Sequence, residues 1–133
     1  ELLLLFKKLR EISNRIAIAD WDLSFRSENQ IAHTQAILLQ AMFAQCNHTT
    51  NNIQTLITKE NIHHLLIQAG WSISHQSIVD AKELDDSKWE VAIAKQLNPA
   101  ENNPLFEAYQ QAMIQTEQLL HVESLDSFVT VGF

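Results

Sequence analysis

The chain has 133 residues, 46% of them hydrophobic and 19% charged, with only two glycines and two prolines. That is enough chain for one domain with its own core, and the scarcity of turn residues favours long helices over an all-β fold. The net charge is −7. Residues 1–26 hold five basic against four acidic residues, and the remainder holds four lysines against twelve acids, so a broad basic face for nucleic acid is not expected.

The first stretch reads Leu2, Leu5, Leu9, Ile12, Ile16, Ala19, Leu23, an alternation of three- and four-residue steps. This apolar seam predicts one helix over about residues 2–25, with Trp21 adding apolar area near its end. Lys7, Lys8, Arg10 and Arg15 stay off the seam and form the basic surface of an otherwise acidic chain. They are the candidate surface for an acidic partner. Ser27 reads as an N-cap and Glu28 as a first-turn acid, opening a second helix over about 28–46 with the stripe Ala32, Ala36, Leu39, Phe43, Cys46. Matching seams and a short join predict a helical hairpin.

Asn47–Asn52 reads as a polar loop. A third helix is expected over 53–69, with a kink or restart at Thr58 and a left-handed Gly70 closed by Trp71. Residues 71–75 alternate as a short extended piece would, and a short helix is expected around Ile78–Leu84. Ser87 and Glu90 have capping-box spacing for a helix from Lys88, carrying Trp89, Ile93 and Leu97 inward and ending before Pro99. Asn103-Pro104 opens the last helix, to about His121. Phe128–Phe133 has strand-like residues that alone cannot make a sheet, so the tail is expected to pack on the bundle, to pair with another chain or to belong to something truncated.

The expected fold is therefore all-α: a bundle of four main helices plus one or two short ones, with an extended C-terminal tail, over a single helical domain 1–133. The predicted core holds Leu5, Leu9, Ile12, Ile16, Trp21, Leu39, Phe43, Leu56, Leu66, Trp89, Ile93, Tyr109, Met113 and Leu120. The first residue is not Met and the last is apolar Phe133, so flanking sequence is expected to be missing. No stretch reads as a membrane span. A lone cysteine, Cys46, permits no internal disulfide, fits a reducing cytoplasm, and is expected as a core thiol.

Chemistry-bearing patterns are few. Glu60 and His63 have Glu-x-x-His spacing, but a di-metal bundle needs a second copy and two further glutamates. Adjacent His63 and His64 diverge by about 100° on a helix and do not chelate one ion together. No metal site, cofactor or catalytic residue is assigned on this basis, and the residues favour a non-enzyme.

Three resemblances accompany this reading. Arg26 and His33, with six residues between them, resemble the Arg-x(4–6)-His signature of HEPN-domain ribonucleases. That likeness implies RNA cleavage across a dimer interface by these two residues. Arg10-Glu11-Ile12-Ser13 followed by Trp21-Asp22 is similar to the opening of Taq-type metallocarboxypeptidases, whose His-Glu-x-x-His is absent here. Ile12-Ser13, Trp21-Asp22-Leu23 and Glu28 resemble the first helices of FliT-type flagellar export chaperones, and Gln54-Thr55-Leu56, Glu60 and Leu65-Leu66 their next helix. The expected function is a non-catalytic helical interaction module, an adaptor, chaperone or immunity-type partner of another protein, with homo-oligomers compatible with the seam. The alternatives are the HEPN-like ribonuclease and the export chaperone.

Overall fold

The computed structural model describes residues 1–47, 56–81, 83–97, 99–119 and 122–133, without the side chains of 46 and 47. In chain order the elements are α1 (Leu2–Ile12), β1 (Ile16–Trp21), α2 (Ile31–Asn47), α3 (Lys59–Gln68), β2 (Ile73–Val79), α4 (Asp86–Leu97), α5 (Phe106–Glu117) and β3 (Ser127–Gly132). The fold is mixed α/β. The all-α bundle is corrected by a three-stranded sheet of order β1-β3-β2, with β3 antiparallel to both neighbours.

The first predicted helix fails halfway. Ser13 is extended, and its hydroxyl donates to Arg15 O and accepts from Arg15 N, which turns the chain out of α1. Ile16-Ala17-Ile18-Ala19 then alternates with period two, and β-branched isoleucine suits a pleated surface. The four-residue step from Ile12 to Ile16 fits both periods, so the seam ran on into a strand. Ile12 is instead 81% exposed.

Contacts divide the chain into two units. The first comprises Glu1–Ser24, Ile57–Asp80 and Asp126–Phe133. In it α1 and α3 supply Phe6, Ile62 and Leu66 to a core with Trp71 and Phe128, joined by Ile16, Ile18 and Ile73 of the strands. Thr58 caps α3 by accepting from Asn61 N at 3.1 Å. Gly70 has φ 90, and Trp71 N donates to Leu66 O at 3.0 Å, the left-handed closure that the sequence predicts. The tail became the central strand. Its Gly132 fits where a Cβ would stand 3.2 Å from Ser72 O and 3.3 Å from an Ile16 methyl.

The second unit comprises Phe25–Leu56 and Ala81–Leu125. Here α2 packs with α4 and α5 around Ala36, Leu39, Ala94, Tyr109 and Met113. Ser27 does cap, through a capping box with Gln30, and a short 3-10 turn at Glu28–Gln30 leads into α2. α4 begins at Asp86, two residues early, and its buried face is Ser87, Glu90 and Ala94. Trp89 therefore points outward, at 70% exposure. The expected helix at 78–84 does not form, because Ile78 and Val79 belong to β2.

Of the predicted core, Leu39, Leu66, Tyr109 and Met113 are buried, and Leu9, Ile16, Trp21, Phe43 and Ile93 are half-buried. Leu5, Leu56 and Trp89 join Ile12 on the surface, and Leu120 lies outside the described residues. The loop expected at 47–52 lies outside them from residue 48 on.

Candidate functional site at the carboxyl ends of β1 and β2

Because β1 and β2 both run antiparallel to β3, they run parallel to each other, and their carboxyl ends share one end of the sheet. Asp20, Trp21 and Asp22 leave β1 there, Asp80 follows β2, and Asp126 precedes β3. Asp22 and Asp126 are buried. The Asp22 carboxylate accepts from Ser24 Oγ at 2.6 Å, Ser24 N at 3.1 Å and Lys59 N at 3.3 Å, and Asp22 N donates to Asp126 O at 2.8 Å. A buried carboxylate is tolerable when donors surround it, and the Lys59 amide belongs to the first turn of α3, whose dipole favours negative charge. Asp22 thus ties the end of β1 to the start of α3, beside the half-buried Trp21 at the sheet's carboxyl end. Sequence reasoning missed this corner. Its signal was Asp-Trp-Asp directly after the Ile-Ala-Ile-Ala alternation.

At the sheet's other end, Arg10, Asn14 and Arg15 line a cavity of about 570 Å³ with Ser74, Val131 and Phe133. Arg10 lies over the Trp71 ring, 5.0 Å from its centroid, and its Nε donates to Gly70 O at 3.4 Å. Arg10 and Arg15 therefore meet at one cleft, while Lys7 and Lys8 are exposed on α1.

Arg26 and His33 are not joined into a nuclease site. His33 is fully buried, and its Nδ1 accepts from Leu125 N at 2.9 Å, so its proton resides on Nε2. Gln30 Nε2 donates to Ser124 O at 3.1 Å and Ser124 Oγ to Leu84 O at 2.8 Å, which stitches this segment to the helices. Arg26 is exposed, so the two side chains share no surface open to RNA. Burial lowers the His33 pKa from 6.5 to about 4, and nearby Asp86 offsets only part of that. Neutral His33 fits the folded unit, so its stability is fully present above pH 6.5 and is lost as pH falls toward 4. Between pH 7 and pH 5 the loss is expected to be about 2 kcal/mol, with no such loss at this position in His33→Gln. Urea unfolding of both proteins at the two pH values checks this, and parallel losses would refute it.

Glu60 is exposed and pairs with Lys59 at 3.5 Å, and the His63 and His64 rings stand at 88° with centroids 6.0 Å apart. No group of three His, Cys, Asp or Glu among the described residues could hold a metal ion. Cys46 lies in α2, and its side chain is outside the described residues.

No protein-family model and no curated protein matches the sequence. Among solved structures, the chain is similar to the crystal structure of a cyclopropane-fatty-acyl-phospholipid synthase-like protein from Lactobacillus casei. The TM-score is 0.79 and the identity 24%, over 98% of this chain and 48% of that one. The chain spans about half the length of that protein. At this identity the likeness speaks for the fold, and it overturns the helical adaptor, chaperone and immunity-type expectation. The HEPN and export-chaperone alternatives fall with it, because both presuppose helical bundles and residues 16–21 here form a strand.

Proposed function

We propose that the chain is one half of an enzyme that modifies the acyl chains of phospholipids, like the cyclopropane-fatty-acyl-phospholipid synthase-like protein it resembles. The observation that carries this reading is the match of nearly the whole chain, 98%, to that one solved fold. In open α/β sheets substrates bind outside the carboxyl ends of the strands. In this reading the corner built by Trp21, Asp22 and Asp126 borders the substrate crevice, with Asp22 as a positioning residue. Closing a cyclopropane on an acyl double bond would take an electrophilic methyl group from a one-carbon donor, whose carrier leaves with the electron pair of the broken bond. One proton would be released to a base as the ring closes, for a net gain of one methylene group.

Lys7, Lys8, Arg10 and Arg15 have a role in the same reading. Lipid phosphates attract basic residues near a membrane surface by about 1 kcal/mol each, and these four lie in α1 and just after it in an otherwise acidic chain. The compartment implied is the cytoplasm, with lipid reached at a membrane surface. No helix among the described residues is long and apolar enough to cross a membrane.

The test is lipid mass spectrometry of cells overproducing the full-length natural protein. Unsaturated phospholipids are expected to gain the mass of one methylene group per modified acyl chain, and Asp22→Ala should abolish the gain while Asp22→Asn retains part of it. Unchanged lipids in cells that contain folded protein would refute the reading.

A further inference from the structure

The two outer strands of the sheet differ in how they treat their free edges. Asp22 N donates to Asp126 O across the β1–β3 pair, so the alternation of an antiparallel ladder directs the amides of Ile16, Ile18 and Asp20 toward β3 as well. The amides of Ala17, Ala19 and Trp21 then face away. Trp21 N agrees: it donates to the Asp20 side chain at 2.8 Å instead of to a strand.

Outer strands ordinarily carry charges, prolines or bulges that prevent further pairing. β2 follows that rule, with an irregular register between Ile73 and His75 and the polar run Ser74-His75-Gln76-Ser77. β1 does so only at its end, where Asp20 carries a charge and its carboxylate accepts from Trp21 N. Over Ile16-Ala17-Ile18-Ala19 the pairing with β3 is unbroken, with no charge, proline or bulge. Ala17 and Ala19 are exposed, and their small side chains leave the backbone approachable.

We infer that the outer edge of β1 is a pairing site, occupied by a further strand of the same polypeptide from outside these 133 residues, so that β1 is an interior strand of a larger sheet. The solved protein of the same fold is about twice as long as this chain, which leaves room for such a strand. The inference goes beyond the proposed chemistry and holds whatever reaction the enzyme runs.

Hydrogen exchange read by NMR on the full-length natural protein, at two concentrations, tests it without any variant. The Ala17 and Ala19 amides are expected to be slowed on the order of 1,000-fold relative to free peptide, as Ile18 is, at both concentrations. Exchange of Ala17 and Ala19 as fast as exposed loop amides would overturn the inference. Protection that disappears on dilution would overturn it too, by assigning the edge to a second copy. Neither outcome depends on lipid modification, so this inference and the proposed function fail separately.

Discussion

Trp71→Ala is expected to remove about 4–5 kcal/mol from the stability of the sheet-bearing unit. Trp71 is 2% exposed and sits among Phe6, Ile62, Leu66 and Phe128. Its indole N–H donates to Phe6 O at 3.0 Å, and the Arg10 guanidinium covers the ring. Alanine would leave a large cavity and lose both polar contacts. Native domains hold only about 5–15 kcal/mol in total, so this one change takes much of the margin. Trp71→Phe keeps most of the apolar area and loses the indole bond, for an expected cost of about 1–2 kcal/mol. Urea unfolding followed by circular dichroism, with exchange at the Phe128 amide as a local probe, measures both. A loss below about 2 kcal/mol for Trp71→Ala would mean that the α1–sheet core does not depend on this side chain.

In the helical unit the comparable loss falls at Tyr109, where Tyr109→Ala is expected to cost about 4 kcal/mol. The ring is 1% exposed and meets Phe43 edge-on at 6.5 Å, and its hydroxyl donates to Ala94 O. Tyr109→Phe removes that hydroxyl alone and should cost about 1 kcal/mol. Burial also pushes the Tyr109 pKa up from 10.0 to about 12. The folded unit therefore holds its proton longer than the unfolded chain does, and the associated stability is present below pH 10 and lost as pH rises toward 12. Tyr109 is the chain's one tyrosine, so tyrosinate absorbance reports it alone. A titration midpoint near 10 in the folded protein would show the hydroxyl to be solvated.

Local signals in this chain were legible where local chemistry decides. Ser27, Thr58 and Gly70-Trp71 cap and close the elements that the sequence assigned to them. Each depends on a few neighbouring residues, and the side-chain chemistry of a cap is written in its own sequence. The helix start expected at Asn103-Pro104 differs: α5 begins at Phe106 behind Leu105, which makes no side-chain cap bond, and Asn103 Oδ1 accepts from Leu105 N in the turn before it. The orientation of α4 was less legible. Its polar face, Ser87 and Glu90, turns inward because Ser124 Oγ accepts from Ser87 N at 3.1 Å and Gln40 donates to Glu90. A buried polar residue satisfied by a distant partner looks solvent-facing in sequence. The corner at Asp22 was hidden for the same reason, since one of its donors, Lys59 N, comes from an element much later in the chain.

What the sequence by itself determined is a few local caps and closures, at Ser27, Thr58 and Gly70-Trp71, and that Leu39, Leu66, Tyr109 and Met113 are core residues. What only the tertiary structure decided is that Ile16–Trp21 and Ser127–Gly132 are strands. The two segments come from opposite ends of the chain and satisfy their backbone groups largely through each other. A helix closes its hydrogen bonds within four residues and can be read from a short window, whereas strand pairing needs a partner that no local window contains. The Ile12-to-Ile16 step allowed both periods, and the pairing with β3 chose between them.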